Sequence, residues 1–235
     1  TFRRLLMPSH WLTVAIALAV LTLIFAGGPR GGGVPRFIDW TINFYVTFLV
    51  PVMAFLMAGG AMRDEMKSGT VDYVLTRPVS RPAFIGFKYI AHTICAQIDF
   101  LFAFGVVVAF ASVHDVPNLG GVALRLLFGQ VLLVTVFSAL GFLCGVVTGR
   151  YVIIGIVYAA LIEVGVGQIP TQLSRLSMTM QMRELLPLLL DRAVPHAGSP
   201  GVFATVAILL AVTVAFLAGA AAIFSIRELT SPADA

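Results

Sequence analysis

Apolar residues fill six long stretches of the chain, 11–27, 40–62, 83–112, 121–149, 152–169 and 201–226, and polar residues gather between them. A helix needs about 20 apolar residues to cross a bilayer. The pattern therefore predicts six spans. The first is short, and the third and fourth are long enough to tilt or to reach into water. Strands of a membrane barrel would alternate polar and apolar positions, and these runs do not. Helices are the remaining solution, because unpaired backbone is too costly in hydrocarbon. The expected fold class is an all-α polytopic membrane protein, with residues 1–235 forming a single transmembrane domain.

Composition sharpens this picture. The chain is 59% apolar and 11% charged, with a mean hydropathy of +0.99. Soluble domains are about 45–50% apolar and about 25% charged. An ordinary soluble enzyme, a disordered chain and a disulfide-stapled secreted module are excluded. The net charge of +4 comes without a basic stripe interleaved with aromatics, so no nucleic-acid partner is expected. Cys95 and Cys144 lie inside apolar runs and read as small packing residues. The run 11–27 follows Arg3 and Arg4 but is too long for a typical signal-peptide core.

The basic residues orient the chain. With the N-terminus inside, one side carries Arg3, Arg4, Arg63, Lys67, Arg77, Arg81, Lys88, Arg150 and Arg227, and the other carries Arg30, Arg36, Arg125, Arg175, Arg183 and Arg192. The short, densely basic connection 63–82 decides the bias. Both termini and this connection are then expected in the cytoplasm. Among the outer connections, 28–39 is glycine-rich and reads as flexible. Residues 114–120, with Pro117 and Asn118, read as a tight turn. Residues 168–200 form a longer outer segment.

Connection 63–82 reads RDEMKSGTVDYVLTRPVSRP. Val71, Val74 and Leu75 fall at i, i+3 and i+4, which gives one apolar helical face. Ser68 or Thr70 can cap its start. Pro78 biases Arg77 away from helical angles and ends it. Ser80 can cap the next helix, with Pro82 in its first turn. This short amphipathic helix either rests on the headgroups or presents its apolar face to a cytoplasmic partner.

Residues 65–70, then Val74 and Leu75, then Pro78, Ser80 and Arg81, then Lys88, resemble the signature of type-2 ABC transporter permeases. In that family a Glu and a Gly-Thr pair precede a short leucine-rich helix. A Pro-x-Ser-Arg turn and a Lys at the start of the third span follow. The likeness is to small six-span bacterial permeases, such as those of nitrous-oxide reductase maturation and gliding motility systems. One departure is Lys67, where the family often has a second acid. The resemblance implies a coupling helix docked on a separate cytosolic ATPase subunit. Glu65, Gly69, Thr70, Val71, Val74 and Leu75 would shape the docking surface, Arg77 and Arg81 would flank it, and Pro78 would set the turn. It also implies pairing with a second permease copy or a paralogue in the bacterial inner membrane. ATP and Mg would sit in the partner subunit, since this chain has no G-x-x-x-x-G-K-[ST] sequence and no cofactor of its own is expected.

Ionisable residues inside spans are expensive and often functional. Asp99, Gln97 and Glu163 are candidates for a translocation path or gate. Glu163 and Arg125 lie at depths that allow an ion pair joining two helices. Lys88 can snorkel to the interface, and His92 reads as a packing residue. Gly141, Gly145 and Gly149 repeat every four residues and permit close helix approach, within the chain or at a dimer seam. In the outer segment, Leu173, Leu176 and Met180 share a helical face. Leu185 to Leu190 is apolar but broken by Pro187, as expected of an interfacial or re-entrant piece. Met178, Met180 and Met182 read as adaptable packing rather than a soft-metal site. No catalytic residue and no metal-ligand spacing stands out, with H-E-x-x-H and G-x-S-x-G both missing.

The expected function is a permease subunit that couples a partner's ATP hydrolysis to substrate movement, with export as the expected direction. One alternative is a mechanotransmitter that relays ATPase motion to a periplasmic partner and passes no substrate. A more distant alternative is an intramembrane enzyme or channel.

Overall fold

The computed structural model describes residues 8–28, 33–67, 81–165, 177–190 and 201–226. Among these, every regular element is helical. Helix α1 is Pro8–Ala26 and α2 is Gly33–Trp40. A π-helical stretch, Thr41–Leu49, joins α2 to α3, Val50–Lys67. Then come α4, Arg81–Val113, and α5, Leu119–Val147. Next is α6, Tyr151–Tyr158, which continues as a second π-helical stretch, Ala159–Gly165. The last two are α7, Met178–Leu189, and α8, Val202–Ile226.

Four described helices are long and apolar enough to cross a membrane: Gly33–Met66, Pro82–Val113, Leu119–Val147 and Val202–Ile226. The first two contain 34 and 32 residues. At about 1.5 Å per residue each runs about 50 Å, well beyond a hydrocarbon core of about 30 Å. Each therefore tilts strongly or projects into water. The apolar parts of α1 (Trp11–Ala26) and of α6 with its π stretch (Tyr151–Glu163) are shorter. So four of the six expected spans reach full length among the described residues.

Two local differences from the sequence reading have physical causes. Residues 33–39 are helical rather than loop. Pro35 occupies the first turn, where a missing N–H costs nothing, and Phe37 and Ile38 are buried. The rod then widens into its π stretch just before Pro51. Proline lacks an N–H and its ring crowds the carbonyl four residues back. The widened turn makes room, with the Val50 N–H reaching Tyr45 O and Thr47 Oγ1 donating to Ile42 O at 2.6 Å. At the tight turn after α4, Asp115 and Asn118 take φ of 51° and 50°. Short polar side chains tolerate this left-handed region better than others.

Helix α5 is the centre of the bundle. In its most apolar window 78% of residues are buried, against 17% for α8. Its main partner is α3, and glycines set the distance between them. A Cβ on Gly141 would lie 2.6 Å from the Phe55 carbonyl oxygen and 2.8 Å from Ala58 Cβ. One on Gly145 would lie 2.9 Å from the Gly59 carbonyl oxygen. Gly149 faces the Arg63 guanidinium. Backbone therefore touches backbone within one chain. The Tyr151 ring at the start of α6 also lies over Gly59.

The buried apolar residues form two clusters. The larger runs from Leu21 of α1 to Leu209 of α8. The smaller joins Ala58, Met62, Ile85, Tyr89, Phe142 and Phe224, so it gathers α3, α4, α5 and α8 at the end that leads into residues 68–80.

Gly141→Leu is expected to destabilise the protein by about 1–3 kcal/mol or more, because the obstructing atoms are backbone. Gly105→Ala, where a Cβ meets nothing within 4 Å, is expected to be neutral or to gain up to about 1 kcal/mol from helix propensity. Thermal unfolding in detergent, followed by helical circular dichroism, separates them. Equal shifts in both variants would contradict the backbone seam.

Candidate functional site

The signature residues divide sharply. Gly69, Thr70, Val71, Val74, Leu75, Arg77 and Pro78 lie outside the described residues. Glu65 lies in the last turn of α3, and Arg81 opens α4. Lys88, two turns into α4, does not simply snorkel to the interface: its Nζ donates to Glu65 Oε1 in a partly buried ion pair. Below the pair, the Tyr89 hydroxyl donates to the Thr135 carbonyl at 2.8 Å. The His92 ring packs on Phe142 with centroids 5.6 Å apart.

Deeper in the bundle a neutral polar node joins three elements. Tyr45, fully buried in the first π stretch, donates to Gln130 Oε1 at 2.6 Å. Gln130 Nε2 donates in turn to the Phe100 carbonyl at 3.2 Å. One turn away, Gln97 Nε2 donates to the Val131 carbonyl at 3.1 Å. Its Oε1 is buried and accepts nothing among the described residues. Asp99 lies half-buried on α4, between Gln97 and Phe100. Gln97 thus faces α5 beside this node, whereas Asp99, two residues on, points to a different face of α4.

Glu163 is not part of that set, and its hydrogen bonds among the described residues go to Tyr158, Ser177, Met178 and Thr179. Its carboxylate caps the start of α7 instead. Oε2 accepts from Ser177 Oγ at 2.6 Å, from Thr179 Oγ1 and from the Thr179 N–H at 3.1 Å. Oε1 accepts from the Met178 N–H at 3.3 Å and from the Tyr158 hydroxyl at 3.0 Å. Ser177 Oγ also accepts from the Met180 N–H, as an N-cap does. A helix N-terminus offers free N–H groups and a positive dipole end, which an anion satisfies. Five donors on this carboxylate outweigh an ion pair inferred from depth alone.

Helix α7 is seated rather than peripheral. Met178, Met182, Leu185 and Leu186 are fully buried, and Gly129 of α5 leaves room for Leu186 and the Met182 sulfur. Pro187 sits near the helix end and does not break it. Met178 and Met182 are core residues here. Leu173 and Leu176 lie outside the described residues.

Sequence reasoning missed Tyr45, Tyr158, Ser177 and Thr179. Pro51 was the available signal for the π stretch that aims Tyr45. A Ser one residue before Met178 was a weak cap signal for α7.

Long apolar helices, glycine-seamed packing and sparse polar ties define a multi-pass α-helical membrane protein. Residues 6–165 match the family described as ABC-2 family transporter protein, and the chain belongs to that family. It is therefore a permease-type membrane subunit of an ABC transporter, a class that works with an ABC ATPase. No curated protein matches the chain.

Glu163→Ala removes the cap of α7 while leaving its buried face intact. Hydrogen exchange is expected to speed up at the amides of Met178 and Thr179, which donate to this carboxylate, with the rest of the bundle unchanged. Unchanged exchange at Met178 and Thr179 would contradict the capping role.

Proposed function

We propose that this chain is one half of the membrane core of an ABC exporter. It would pair with a second copy or a paralogue and would be driven by cytosolic ATPase subunits that hold ATP and Mg. Residues 68–80 serve as the coupling helix and seat Val71, Val74 and Leu75 in the ATPase. In this reading α1, and α6 with its π stretch, complete a six-span topology with both termini in the cytoplasm. The observation that carries the proposal is the placement of residues 68–80 between two rods of about 50 Å. Both rods are longer than the hydrocarbon core is thick, which allows their shared end to stand in water where a soluble ATPase can meet it. The family supports the same reading.

Glu65 has a different place in this scheme from Val74 and Leu75. Its carboxylate meets Lys88 of its own chain, so it supports the coupling helix from within. Asp99 and Gln97 remain the residues proposed for a polar path, next to the Gln130 node. Glu163 serves the outer helix. The relay alternative shares the ATPase docking and differs only in whether substrate passes through.

Co-purification from native membranes in mild detergent tests the proposal. The parent chain is expected to carry a cytosolic ATPase, and a Val74→Asp, Leu75→Asp double variant is expected to lose it while keeping its fold. Absence of any ATPase from the parent would overturn the permease reading.

A further inference from the structure

Resting on the permease reading of residues 68–80, we infer that the Glu65–Lys88 ion pair is a positioning clasp that makes α3 and α4 answer the coupling helix as one body. A push on a segment hung between two helices has two outcomes. It can splay the helix ends, and the displacement is then lost locally. Or it can move both rods together, and the displacement then reaches the far side of the membrane. Which outcome wins depends on whether the two ends are joined.

Three observations join them. Glu65 and Lys88 pair across the gap, with side chains 32% and 14% exposed. A partly buried pair is less screened than a surface one. Lys88 lies two turns inside α4, so the bond holds the body of the helix rather than its fraying tip. Met62 and Ile85, each one turn along its helix from the pair, are fully buried in the cluster that also holds Tyr89 and Phe142. Helix α3 is itself locked to α5, where Gly145 leaves no space over the Gly59 carbonyl. The clasp thus extends the α3–α5 unit to α4. It closes the end that receives the push with a bond that charge can make or break.

A merely solvated Lys88 predicts something different. Exposed ion pairs contribute little, so losing one would leave the two helices where they are. Removing Lys88 takes away the bond that ties α4 to α3 at this end, and the two helix ends can then separate.

The test uses the full chain in lipid nanodiscs, with Cys95 and Cys144 replaced by Ala. Nitroxide labels are placed at Asp64 and Ile90, and dipolar EPR reads the distance between them. The parent is expected to give one narrow distance, both in the isolated chain and in complex with its ATPase under ATP and vanadate. Lys88→Met is expected to lose the narrow distance. The charge-reversed pair, Glu65→Lys with Lys88→Glu, is expected to regain it. If Lys88→Met fails to reach the membrane, Lys88→Gln takes its place. A parental distance distribution in the Lys88 variant, or failure of the reversed pair to restore it, would overturn the clasp. ATPase co-purification from the same samples tests the permease reading separately. An unchanged distance with ATPase bound sinks the clasp alone. A normal variant pattern with no ATPase in the parent upholds the clasp and sinks the permease reading.

Discussion

The approach of α3 to α5 is the constraint on which the rest of the structure depends. Inside a bilayer, lipid tails are as apolar as leucine, so helices gain little from hiding apolar surface from one another. Close contact of many atoms has to supply the association instead. Gly141 and Gly145 supply it by letting α5 rest on the backbone of Phe55 and Gly59. Once that seam is set, other placements follow. The Tyr151 ring lies over Gly59 and Phe55 lies over Gly155, which docks α6. Gly129 leaves a seat for α7. A longer side chain at the seam would displace each of these in turn.

Polar ties complete what the glycines begin, and they are spaced along the bundle. Glu65 and Lys88 close one end, Tyr45, Gln130 and the Phe100 carbonyl link the interior, and Glu163 caps α7 in the other half. The chemistry suits each place. Charges pair where water is near. The interior uses neutral amide and phenol groups, whose burial is far less costly than that of ions. The carboxylate of Glu163 sits where a helix N-terminus supplies donors. Motion entering at residues 68–80 would meet a braced unit of α3, α4 and α5 before reaching α7 and the second π stretch.

Much of this was legible in the residues. Unbroken apolar runs marked the helices, because hydrocarbon leaves the backbone no other partner. The four-residue glycine repeat marked the seam, though not which helix would fill it: packing within the chain was favoured, and a second copy of the chain stayed open. Other features had no local trace. Residues 33–39 looked like part of a flexible loop because Gly28 and Gly31 to Gly33 crowd the start of the connection, and burial of Phe37 and Ile38 is what makes the helix worthwhile. Glu163 and Arg125 looked like partners because depth along a span can be counted from sequence. The entry of the 177–180 turn beside Glu163 depends on tertiary packing and cannot. The first π stretch did have a cause in the chain, Pro51, but a proline alone does not say how a helix accommodates it.

The proposed coupling role of residues 68–80 requires that α3 and α5 form one rigid spine through which displacement passes. Structures of the complex with its partner ATPase, determined without nucleotide and with ATP bound, test it most directly. The account predicts that the Phe55 carbonyl stays in contact with Gly141 in both states while the spine shifts as a unit. A seam that opens between the two states, with α3 and α5 moving apart, would contradict it.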